Sequence, residues 1–153
     1  MRQRGARGFT LLELVLVLAL VALASLLAAA ALTGGFDGMR LRSAAKEVAA
    51  QLRFTRAQAI ATGEPQRFTL DPRAHRWTAP RDRSGELPSQ LALAVVGARE
   101  VQPEADVGAI LFFADGASTG GRVELALGDA AWRVEVAWLT GQVRATPVAG
   151  DPP

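Results

Sequence analysis

The sequence predicts an α+β protein in which a long apolar amino-terminal helix is followed by an amphipathic helix packed on antiparallel β-sheet. Three observations carry that expectation. An uncharged, apolar run extends from Leu14 to Leu32; apolar residues recur at helical spacing from about Met39 to Thr62; and from Gln66 onward the hydrophobic period falls to two.

The chain opens with Arg2, Arg4 and Arg7, then reads Gly8-Phe9-Thr10-Leu11-Leu12-Glu13 before the apolar run. About 19 residues rising 1.5 Å each make a helix roughly 29 Å long, close to the ~30 Å hydrocarbon core of a bilayer. Glu13 is the one charge in this block. A carboxylate in hydrocarbon is costly and usually has a partner and a function. Cutting the chain between Gly8 and Phe9 would give Phe9 a new ammonium group and make Glu13 the fifth residue. Residues four apart share a helix face, so the two charges could pair within a chain or between neighbouring copies. Two ordinary readings compete. One is a secretory signal peptide cleaved near Ala28 to Ala31, although its apolar region typically spans about 7 to 15 residues and would not carry Glu13. The other is an uncleaved anchor with Glu13 snorkelling to the interface.

This stretch resembles the amino terminus of type IV pilins and type II secretion pseudopilins: a short basic leader ending in glycine, then Phe-Thr-Leu-Leu-Glu-Leu, here Gly8 to Leu14. The resemblance implies cleavage after Gly8 by a prepilin peptidase, N-methylation of Phe9, and an assembly role for Glu13. It also implies an inner-membrane single pass. Basic residues flanking a first helix stay cytoplasmic, which places everything after Leu32 in the periplasm. The expected division is residues 1–8 as cleaved leader, 9–33 as spanning or filament-core helix, 34–63 as hinge and amphipathic helix, 64–146 as a periplasmic β domain, and 147–153 as a flexible tail.

With 153 residues, the leader and first helix leave room for one soluble core. Cysteine is absent, which removes disulfides and thiolate metal sites. The pI near 10.3 is misleading: three of the 17 basic residues sit in the leader, so 14 face 15 acidic ones after cleavage. Near-neutral balance disfavours nucleic-acid binding, with Arg81, Arg83 and Arg144 as the local patch that DNA would use.

Beyond the apolar run, Thr33-Gly34-Gly35 should weaken or break the helix. Leu41, Ala45, Val48, Leu52 and Ala59 then form one stripe, with Arg42, Lys46, Arg53 and Arg56 mostly elsewhere as a solvated basic face, and Gly63 a C-cap. Short strands follow at Arg67 to Leu70 and Arg76 to Ala79, joined through Asp71-Pro72. Arg81 to Pro88 reads as a polar loop, Leu91 to Val96 as a strand, Ala98 to Gly108 as a second loop, and Ile110 to Phe113 as a strand. Gly128-Asp129 is a two-residue hairpin signal that sets Leu127 opposite Ala130, Leu125 opposite Trp132 and Val123 opposite Val134. The other face then pairs Glu124 with Arg133 and Arg122 with Glu135, complementary in both cases. Thr140-Gly141 reads as the next turn, with Leu139 against Gln142 and Trp138 against Val143. Period two then puts Trp132, Val134, Val136 and Trp138 on the inward face. Ala145 to Pro153, with three prolines, reads as a frayed tail.

Three segments are similar to one subgroup, the H-type minor pseudopilins and FimT-like minor pilins: Leu52 to Ala61 in the second helix, Phe112 to Gly121, and Leu139 to Arg144. The stretch from about Asp71 to Gly108 carries no such match. Asp115-Gly116 and Gly120-Gly121 precede a strand, not a helix, and lack the acidic spacing of a calcium loop, so they read as tight turns. His75, the single histidine, reads as a surface turn residue, and neither a zinc site nor a catalytic triad assembles from the spacing. No cofactor, metal or enzymatic activity is expected. The resemblance implies a minor pseudopilin near the tip of the type II secretion pseudopilus that helps export folded proteins. Its partners would be major and minor pseudopilins, the inner-membrane assembly platform and the prepilin peptidase. The alternatives are a FimT-like or FimU-like minor pilin of a type IV pilus and a membrane-anchored periplasmic binding module.

Overall fold

The computed structural model describes residues 10–97 and 107–148, with the backbone alone described over 29–36. One helix, α1, spans Leu11–Thr62. Eight strands follow: β1 Gln66–Asp71, β2 Arg76–Ala79, β3 Arg83–Glu86, β4 Ala92–Gly97, β5 Gly108–Phe112, β6 Gly121–Leu127, β7 Ala130–Val136 and β8 Val143–Val148. They form two four-stranded antiparallel sheets, ordered β3-β2-β1-β5 and β4-β6-β7-β8. The chain divides into two compact units, Met1–Phe36 and Asp37–Pro153.

The helix is not interrupted at Thr33-Gly34-Gly35, where a break was expected. Each glycine costs about 1 kcal/mol against alanine in a helix, yet it keeps its amide donor and fits right-handed helical angles, unlike proline. Gly63, at φ 70°, ends the helix and donates to Ala59 O at 3.0 Å, as a left-handed C-cap does.

The predicted stripe is the core of the second unit: Leu41, Ala45, Val48, Leu52 and Ala59 are all fully buried. They join one apolar cluster with Phe68, Leu70 and Trp77 of the first sheet and Val123, Leu125 and Val134 of the second. Trp77 stacks on Phe68 at 6.5 Å between centroids and donates its Nε1 to Glu47 Oε1 at 2.8 Å, which ties the first sheet to the helix.

The β6–β7 hairpin has the register expected, from Leu127 opposite Ala130 to Arg122 opposite Glu135. Three other segments differ from expectation. Arg83 to Glu86, read as loop, is the edge strand β3; Gly85 lies under the Trp77 indole, where a Cβ would come within 2.5 Å of Cζ2. Its polar sequence has no apolar alternation because an edge strand on this rim buries little. The tail is ordered to Val148 as β8, and Pro147 fits there because β8 is an edge strand that needs no outward amide. The last hairpin pairs Val136 with Val143, two residues from the expected register, leaving Trp138 to Gly141 as a four-residue turn. Trp138 is therefore 68% exposed instead of inward. Expected strand ends elsewhere agree within two residues, and β5 stops at Phe112, one short of Phe113. The loop expected from Ala98 to Gly108 mostly lies outside the described residues.

Candidate assembly site and the loop platform

Of the three residues singled out at the amino terminus, Gly8 and Phe9 lie outside the described residues. Glu13 stands in the first turn of α1 and is exposed. Thr10 is the N-cap: its Oγ1 accepts from the Glu13 amide at 3.2 Å, and its carbonyl accepts from the Leu14 amide at 3.1 Å. Thr10-x-x-Glu13 is the pattern of a capping box, a signal in the sequence that the emphasis on Glu13 as a buried charge passed over. Glu13 also stands where a negative charge offsets the positive helix end.

Behind it, Leu11–Ala28 has mean hydropathy 2.8, and none of it is buried within the chain. Leu11, Leu12, Leu18, Leu26 and Leu27 are each more than 60% exposed. Such a surface needs lipid or other apolar helices against it. Its one internal hydroxyl, Ser25 Oγ, donates to Val21 O at 2.8 Å, so it asks for no outside partner.

In the second unit, the structure brings together the three segments that carry the subgroup resemblance. Arg56 donates from Nε to Gly116 O at 3.0 Å, and Arg53 donates from NH2 to Val143 O at 3.1 Å. Both were expected on a solvated basic face; Arg53 is exposed as expected and Arg56 is half-buried, and beyond that expectation the two hold β8 and the β5–β6 loop onto the helix. Arg42 and Lys46 are exposed as expected. Gly116 and Gly141 have φ of 85° and 61°, and a Cβ at 141 would run into Gly116 O. Only glycine permits that approach. Ser118 completes the platform by donating its amide to Trp138 O at 2.8 Å and its hydroxyl to Ala137 O at 3.1 Å. Charge patterning alone could not have shown which arginines find carbonyls.

His75 is in a turn as expected, at φ 51°, and is half-buried; its carbonyl accepts from the Leu87 amide at 2.7 Å. Among the described residues no three His, Cys, Asp or Glu side chains gather as metal ligands would.

Comparison with known proteins agrees with this geometry. The family model for type II transport protein GspH matches residues 44–141, and the prokaryotic N-terminal methylation motif matches residues 3–29. Type II secretion system protein H of Xanthomonas campestris pv. campestris is 61% identical over 151 residues, covering 99% of this chain and 89% of that one. The minor pseudopilin EpsH of Vibrio cholerae superposes with a TM-score of 0.57 at 16% identity, over 71% of this chain and 97% of that one. The type IV minor pilin FimU of Pseudomonas aeruginosa gives 0.55 at 15% identity, over 70% and 88%. At those identities the two structures speak for the fold alone. The family is one of structural pseudopilin subunits, not enzymes, with membrane-anchored periplasmic members whose partners are other pseudopilins. By sequence along nearly its whole length, this chain belongs to the type II transport protein GspH family.

Proposed function

We propose that this chain is a minor subunit of the type II secretion pseudopilus, positioned near its tip, that helps drive folded proteins across the outer membrane. The observation that carries the reading is the helix from Leu11: long enough to span a bilayer, unburied by its own chain, and opened by Thr10 and Glu13 directly after the Gly8-Phe9 junction. A prepilin peptidase cleaves at that junction and methylates Phe9. The chain is held in the inner membrane with its basic leader cytoplasmic and its β domain periplasmic. The assembly platform then draws the helix into a bundle of equivalent pseudopilin helices.

In that bundle an unpaired Glu13 would cost several kcal/mol, so it pairs with the Phe9 ammonium of a neighbouring subunit. Such a pair sets stagger more than it adds net stability.

Mass spectrometry of the amino terminus, on protein from membranes of a cell that has the peptidase, tests the first step. The expected mature chain begins at N-methylated Phe9. A chain retaining Met1, or beginning near Ala31, removes the filament mechanism. Glu13→Ala should leave membrane insertion intact and abolish co-assembly with other pseudopilins; unchanged co-assembly would refute the role given to Glu13.

The fold similarity to FimU supports a second reading, a type IV minor pilin. Deleting the gene separates the two, since loss of secretion with intact pili supports the first and the reverse supports the second.

A further inference from the structure

Among the described residues after Phe36, six large apolar side chains are exposed, and four of them lie on segments that meet at the loop platform: Ile60, Phe113, Trp138 and Leu139. A Cβ at Gly116 would lie 3.1 Å from Ile60 Cδ1, and one at Gly120 would lie 3.0 Å from Trp138 Cβ. The turn carrying Trp138 and Leu139, which are 68% and 67% exposed, is held rigidly. Ser118 binds its two carbonyls from outside, and within it the Gly141 amide donates to Ala137 O at 2.8 Å. Presenting a tryptophan and a leucine to water on so fixed a turn does nothing for the fold. Preorganised, exposed aromatic residues are what binding hot spots are made of.

The surroundings are basic. Beside the turn lies an open groove of about 500 Å³ lined by Arg53, Arg56 and Gln142, and another of about 440 Å³ lined by Arg122, Arg144 and Glu135. Four arginines and Glu135 line the two grooves; Arg122 is already paired with Glu124 at 3.2 Å, while Arg53, Arg56 and Arg144 have no carboxylate within ion-pair distance among the described residues. A third groove of about 410 Å³ runs against Trp138, Val136 and Val96 and carries no charged side chain.

We propose that this end of the domain docks a carboxylate-rich segment of a second protein. The segment lays an aliphatic or aromatic side chain against Trp138 and Leu139 and its acidic groups toward Arg144 and Arg53. The chemistry favours protein over nucleic acid. The exposed patch is half aliphatic, Leu139 and Ile60 beside Trp138 and Phe113, and Glu135, between Arg122 and Arg144 in the strand register, breaks the cationic row that an unbroken phosphate backbone would follow, whereas the spaced acidic side chains of a peptide can pass it on either side.

The test is photocrosslinking of the full-length chain in cells, with p-benzoylphenylalanine replacing Trp138 or, as a control on the far sheet's edge strand, Ser84. Crosslinks from position 138 should exceed those from 84 by about tenfold and map by mass spectrometry to protein segments rich in Asp and Glu. Adding Arg144→Gln, a change on an exposed edge strand, should lower the yield about threefold, and Arg144→Glu about tenfold. Crosslinks to nucleic acid or lipid, crosslinks to basic or neutral segments, equal yields at 138 and 84, or indifference to both Arg144 variants would each overturn the proposal. The surface does not depend on filament assembly: failure here with a correctly processed amino terminus removes the docking site and leaves the pseudopilin reading standing.

Discussion

The two hairpins that share β7 reach their registers by different routes. Between β6 and β7 everything local agrees: a Gly128-Asp129 turn, apolar pairs on one face, and Glu124 opposite Arg133 on the other. Between β7 and β8 the local signal, Thr140-Gly141, points to a two-residue turn, and the chain instead makes a four-residue one. The winning contacts come from elsewhere in the sequence. Ser118 holds Ala137 and Trp138, while Gly141 packs against Gly116 beside Arg56. A register slip of two residues keeps the same faces, so the apolar pattern could not decide between the alternatives. Local chemistry thus sets the first hairpin and tertiary contact the second.

The largest test of that difference substitutes the same residue in both turns. Gly128 and Gly141 have nearly the same φ, 57° and 61°, but a Cβ at 128 meets nothing within 4 Å, whereas at 141 it would strike Gly116 O and lie 2.9 Å from Arg56 Nε. Gly128→Ala should cost about 1 kcal/mol, the backbone strain alone. Gly141→Ala should cost roughly 3 kcal/mol or more, because the β5–β6 loop must also move. Thermal unfolding of the detergent-solubilised chain, followed by near-UV circular dichroism, should show the second shift as at least twice the first. Equal shifts would mean that the two turns are governed alike.

A smaller effect is expected from Arg56→Met, which keeps most of the stem and removes the donor to Gly116 O. About 1 to 2 kcal/mol should be lost, the cost of a partly buried carbonyl left without its partner. Hydrogen exchange should quicken at Gly116, Ser118 and Gly120 and stay unchanged at Arg133 and Val134. Uniform acceleration would show that the platform and the β6–β7 hairpin open as one unit.

These contrasts also explain what could be read from the sequence. The apolar helix, the buried stripe from Leu41 to Ala59 and the β6–β7 pairing rest on periodicity and turn chemistry, and each is found. The edge strand β3 left no apolar trace, because its place is fixed by Gly85 beneath Trp77 and by Arg83 over the Phe54 ring at 4.4 Å. Glu13 was legible as an isolated charge, while its amide's bond to Thr10 is a local detail that the capping pattern would have supplied. Arg53 and Arg56 were legible only as basic residues. Their carbonyl partners lie 90 and 60 residues away, and no periodicity encodes them.

The smallest expected effect lies in the charge ladder of the β6–β7 hairpin. Glu124 accepts from Arg133 Nε at 3.1 Å and also lies 3.2 Å from Arg122 Nε, with its own side chain only 16% exposed. Both arginines are more than a third exposed, so each pair is screened and worth at most a few tenths of a kcal/mol to about 1. Glu124→Gln should therefore cost about 1 kcal/mol, since two guanidinium groups lose one carboxylate. Arg133→Gln should cost less than half of that, because Glu124 keeps Arg122. None of these changes should move the register, which the Gly128-Asp129 turn and the Val123–Val134 and Leu125–Trp132 pairs hold independently. Cross-strand nuclear Overhauser contacts between Val123 and Val134 in Glu124→Gln would verify it. A slipped register in that variant would show that the charges, and not the turn, had been fixing the pairing.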